Sequence, residues 1–196
     1  MSRRTLVLLV ALPAVACAFV GLTHPGHLTA ASAEHWRNMH LILIPIFPLI
    51  GLARWLIARK AGVWWARIAA LFGYGFAIFY TALDILAGVA GGALVLAGHS
   101  DVTGSVFAIA RALGSIGVVS LVAGCVVAGA AAFRVAGVVA LPGAILASVG
   151  AILVQQGHIY PGLGTVAMVL LAAGFALMAV AVTRSAVRSS AVAQPA

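Results

Sequence analysis

The chain reads as six long apolar runs separated by short polar turns, at roughly 5–22, 39–57, 68–97, 104–128, 137–156 and 163–183. The runs are continuously apolar rather than alternating. At 1.5 Å rise per residue, each can cross a hydrocarbon layer of about 30 Å. A barrel strand would alternate apolar and polar positions, and a lipid-exposed backbone must satisfy its own hydrogen bonds. The pattern predicts an all-α fold: a polytopic integral membrane protein built as one bundle of six transmembrane helices over 1–183, then a cytoplasmic tail over 184–196 whose end, 189–196, is expected to be coil. The third run is long enough to tilt or to project beyond the membrane.

Composition supports this class. Hydrophobic residues make up 64% of the 196 and charged residues 7%, with mean hydropathy +1.20, whereas soluble domains carry about 25% charged residues. The opening "MSRRTLVLLVALPAVACAF" has a basic end, an apolar stretch and small residues near Ala16. Those features also suit a signal peptide; the segment is read here as the first transmembrane helix. Cys17 and Cys125 sit in apolar runs at different expected depths, so they are expected to pack as small apolar groups rather than to pair.

The net charge of +8 raises nucleic acid as a partner, but the basic residues form no patch. Arg3 and Arg4 precede the first run, and Arg54, Arg59, Lys60 and Arg67 surround the turn after the second. Arg134 follows the fourth, and Arg184 and Arg188 follow the sixth. These nine of eleven fall on one side of the predicted bundle, which the positive-inside rule makes cytoplasmic, together with both termini. Arg37 and Arg111 are the exceptions. The opposite side, with the first residues of the second run, receives all six histidines: His24, His27, His35, His40, His99 and His158. Neutral imidazoles are acceptable polar residues for turns where arginine would oppose the topology. The same imidazoles, if gathered, form a site.

Histidine is the commonest transition-metal ligand. His24, His27, His35, His40 and His158 are the candidate ligands, with Glu34 or Asp101 as added carboxylates, for zinc, copper, nickel or iron. No HExxH or Cys/His zinc spacing is present. Tyr160 and Gln155 join Glu34 as polar groups of the outer face. Asp84, with Tyr80 one turn before it, and Arg111 are the polar groups expected inside the membrane. Asp84 pairs with Arg111, acts as a functional carboxylate or sits neutral and protonated, and its expected depth lies well below the histidines. Pro45 and Pro48 remove backbone donors one to two turns beyond His40, where a cavity is expected. Gly88 and Gly92 form a GxxxG that permits close helix approach, within the bundle or in a homo-oligomer or larger membrane complex.

"HPGH" at 24–27 resembles the opening of some nickel permeases, whose further His/Asp motif is missing here. The histidine-plus-aspartate set resembles that of zinc-dependent intramembrane lipid hydrolases, whose HxxxH pair is also missing. Neither family is assigned. The residues favour binding of a transition-metal ion at the extracytoplasmic face, linked to transport. The alternatives are a membrane-embedded metal-dependent hydrolase of a lipid-like substrate, a haem-binding electron-transfer subunit with haem at the outer edge, and a non-catalytic accessory subunit.

Overall fold

Long apolar runs with few breakers become helices, and Gly and Pro mark where they stop. A computed structural model describes residues 1–192, with side chains through Ser185. Its helices are α1 (Arg3–Gly21), α2 (Ala33–Leu43), α3 (Ile46–Ala58), α4 (Val63–Leu83), α5 (Gly91–Leu96), α6 (Thr103–Ala136), α7 (Leu141–Gly157) and α8 (Leu163–Val192). The described residues contain no strand. A π-helical segment, Asp84–Ala90, joins α4 to α5. The helix of the second run begins at Ala33, ahead of the apolar stretch, and so takes in Glu34, His35 and Trp36. It breaks between Leu43 and Ile46, where Pro45 stands, while Pro48 is accommodated in the first turn of α3. The tail expected to be coil over 189–196 is helical as far as Val192; residues 193–196 lie outside the described part.

Five stretches are long and apolar enough to cross a membrane: Arg3–Gly21, Ala33–Ala61, Val63–Leu96, Ser100–Gly157 and Leu163–Ser185. The fourth holds both α6 and α7. They meet at a 3-10 turn, Gly137–Ala140, where Gly137 takes φ +63°, and they pack against each other. Large apolar side chains also cover the outside, among them Leu8, Leu12, Phe19, Leu71, Val119 and Val169. A surface this apolar points to lipid as its solvent.

Small residues set the helix spacing. Gly143, Gly150 and Gly157 of α7 meet Gly174, Ala167 and Gly164 of α8 in that order, so the two helices run antiparallel. Gly114 and Gly117 of α6 meet Leu83 and Tyr80 of α4 in the same opposed sense. Gly88 and Gly92 face His40 and Arg37 of α2, so the GxxxG serves a contact inside the chain. This alternation gathers the turns bearing His24, His99 and His158 at one end. The turns bearing Arg59 and Lys60, and the end of α6 bearing Arg134, lie at the other. Arg54 departs from its expected place as an interfacial anchor. It is fully buried, its nitrogens lack a hydrogen-bond partner, and its guanidinium lies over Phe76 at 5.2 Å.

Gly51 and Gly73 bring α3 and α4 into backbone contact. A Cβ on Gly73 would stand 2.7 Å from the Gly51 carbonyl oxygen. Gly73→Val is therefore expected to cost about 1–3 kcal/mol, the usual penalty for overpacking, read as a lowered thermal midpoint in detergent. Gly104→Ala, where nothing lies within 4 Å, is expected to leave the midpoint unchanged or raised.

Candidate metal centre

Three segments far apart in sequence supply the centre. His24 lies just after α1, His40 is two turns into α2, and His158 follows α7. One ring nitrogen from each lies within 4.8 Å of the others, so the group could hold a metal ion. The ring centroids of His24 and His40 are 5.2 Å apart, those of His24 and His158 5.9 Å, and those of His40 and His158 6.3 Å.

Each imidazole is oriented through its Nδ1. His24 Nδ1–H donates to the Pro25 carbonyl at 2.8 Å, and His40 Nδ1–H donates to the Trp36 carbonyl at 2.6 Å. Donation from Nδ1 leaves the lone pair of a neutral ring on Nε2. His158 Nδ1 shares a 2.5 Å hydrogen bond with the Tyr80 hydroxyl. Metal-binding histidines are commonly held this way, with the second nitrogen fixing tautomer and ring plane. His158 also has φ +44°, the one non-glycine in the left-handed region among the described residues. Such backbone costs of order 1–3 kcal/mol and tends to persist where a side chain must point one way.

Asp84 joins this group rather than Arg111. Its Oδ1 lies 3.9 Å from His40 Nε2, and no ion pair with Arg111 forms among the described residues. The expected depth gap vanishes because the helix carrying His40 starts at Ala33, which carries the ring deeper. Gly88 also lets that ring lie directly on the π-helical segment, where any Cβ would overlap it. Trp36 completes the seam: its indole N–H donates to the Ala87 carbonyl at 3.0 Å.

Both Asp84 oxygens and His24 Nε2 are buried without a hydrogen-bond partner. Buried polar atoms seldom remain so, because desolvation without compensation costs several kcal/mol. Unsatisfied lone pairs on His24, inside the histidine group, and on Asp84, next to His40, present the environment that a cation satisfies.

Of the other predicted residues, His27, His35, Glu34 and Gln155 stand apart from this group, and Tyr160 packs against it. His35 is exposed and bonds the Thr23 carbonyl through Nε2 at 2.9 Å. His27 and Glu34 are exposed. Tyr160 packs its ring on His24 at a centroid distance of 4.2 Å. Gln155 donates to Ser115 at 3.3 Å. A cavity of about 530 Å³ adjoins the centre, lined by residues that include Trp36, His40, Tyr80, Phe107, Arg111 and His158. Sequence reasoning did not single out Trp36 as a wall of this space or Gly88 as the seat of His40. The GxxxG spacing was the only signal for the latter.

No family model, curated protein or solved structure matches the chain.

Burial lowers the pKa of His24 below the usual 6.5. Burial, then the nearby His40 and His24, lowers that of His158 well below the same value. Their folded-state values lie below the unfolded ones, so the unfolded chain takes up protons first as pH falls. Their stability contribution is full above about pH 6.5 and is lost progressively below it. The thermal midpoint of the metal-free protein should therefore be flat from pH 8 to about 6.5 and fall toward about pH 5. Replacing His24 and His158 by Asn should flatten the acid limb.

Proposed function

We propose that the protein is a membrane-embedded, metal-dependent hydrolase acting on a lipid-like substrate, with His24, His40 and His158 as the metal ligands and Asp84 beside them as a proton acceptor. In this reading the chain crosses the membrane six times, α6 and α7 counting separately. Its basic turns face the cytoplasm and its histidine turns face outward, as the arginine distribution implies. The observation that carries the reading is the convergence of one ring nitrogen each from His24, His40 and His158 within 4.8 Å, with Asp84 Oδ1 3.9 Å from His40 Nε2 and its oxygens unpartnered.

The ligand set argues for a resident ion. Three imidazoles suit zinc first and leave its fourth position open, where bound water would have its pKa brought to about 7. Asp84, 3.9 Å from His40 Nε2, stands beside the ion as the group that would accept a proton from its bound water. Tyr80 holds His158 in place through its hydroxyl. The adjoining cavity supplies room for a substrate, with Trp36 and Phe107 on its wall.

Two features weigh against the metal as transported cargo. Beyond Tyr80 the interior is filled by Phe47 and Phe76, with ring centroids 4.9 and 5.0 Å from Tyr80. Next comes the buried guanidinium of Arg54, a fixed positive charge that would repel a cation moving inward. The packed imidazoles, with Tyr160 and Trp36 against them, also favour a bare ion over a haem.

Protein purified in neutral detergent should carry about one metal ion per chain by elemental analysis. His40→Ala and His158→Ala should lose it, and Gly88→Ala should lower occupancy by displacing the His40 ring while every ligand residue is kept. The loaded protein should turn over ester or amide lipids in detergent without any gradient, and should pass no metal across liposomes. Stoichiometric metal with transmembrane flux and no turnover would replace the hydrolase with a transporter. No bound metal at all would remove both.

A further inference from the structure

The cavity beside the centre is chemically asymmetric. Its inner wall carries Trp36, His40 and Tyr80, all buried. Arg111, Ser115, Gln155 and Gln156 line it too and are exposed, so they stand at its open side. Apolar side chains, including Leu83, Phe107 and Val118, lie between. No carboxylate lines it, and Arg111 is its one permanent charge.

Arg111 has no hydrogen-bond or ionic partner among the described residues, although Asp84 was available on the facing helix. It sits two turns inside α6, in a run whose neighbours are apolar. At the open side of a cavity with no carboxylate of its own, its planar fork matches a carboxylate ligand through two parallel hydrogen bonds. One fixed positive charge balances one negative charge, which fits a carboxylate better than a phosphate monoester carrying nearly two.

We propose that this cavity binds a long-chain carboxylic acid or acyl compound with a free carboxylate. Arg111 holds the head group, Gln155 stands beside it, and the chain lies along Leu83, Phe107 and Val118 toward the histidines. This goes beyond the hydrolase reading and does not rest on it, because a free acid has no ester or amide bond to be hydrolysed.

The test uses metal-free protein in nanodiscs of zwitterionic lipid, so that binding is measured apart from metal and catalysis. A dibrominated stearic acid is titrated while tryptophan fluorescence is read, because bromine on the chain would quench Trp36. Saturable quenching is expected for the wild type and for Arg111→Lys. Arg111→Gln should bind about tenfold more weakly, the scale of a lost charge-assisted hydrogen bond. The methyl ester of the same acid should bind as weakly to the wild type as the acid does to Arg111→Gln. Equal affinity of wild type and Arg111→Gln, with matching thermal midpoints, would overturn the proposal, as would equal binding of acid and ester. Displacement by acetate at the same concentration as by stearate would also overturn it, marking a small-anion site. Absence of hydrolase turnover would leave this result standing, and failed binding would leave the metal centre standing.

Discussion

A carboxylate and a neutral imidazole meet where water does not reach: Asp84 Oδ1 and His40 Nε2, 3.9 Å apart, with no donor on either Asp84 oxygen. A carboxylate deep in a membrane helix costs about 2.5–3.5 kcal/mol on insertion scales, and a helix accepts that cost where something compensates it. The surrounding packing brings compensating groups to this point. Gly88 admits the His40 ring, Trp36 ties α2 to the π-helical segment, and Tyr80 holds His158. The π-helical turn itself begins at Asp84. Such turns are rare inside α-helices and concentrate at functional sites.

The same contacts explain why the histidines divide into two kinds. His24, His40 and His158 have their Nδ1 atoms engaged and their rings packed on aromatic neighbours. His35 spends Nε2 on the chain reversal after α1, and His27 has the solvated setting expected of a polar outer turn. A face rich in imidazole thus contains a small ordered subset, and the rest satisfies topology.

Much of the architecture was legible in the sequence. Continuous apolar runs gave helices, Gly62 and Gly137 fall where turns require φ of +119° and +63°, and Pro45 broke the second run. The helical start at Ala33 was hidden because Glu34, His35, Arg37 and Asn38 interrupt hydrophobicity while Ala33, Trp36 and Met39 keep a buried face. That hidden start misplaced the depth of His40 and made Asp84 look remote. Which three of six histidines converge was not legible, because their grouping depends on how α1, α2 and α7 pack. Arg54 looked like an interfacial anchor because it lies near a helix end, yet Gly124 leaves the space that buries it.

The central claim is that His24, His40 and His158 surround one ion, with Asp84 beside it. X-ray absorption at the metal edge of zinc-loaded protein reads that directly. The account predicts a first shell of nitrogen and oxygen at about 2.0–2.1 Å, with outer-shell scattering from three imidazole rings that falls to two in His24→Ala. A first shell lacking imidazole scattering, or one unchanged by that substitution, would contradict it.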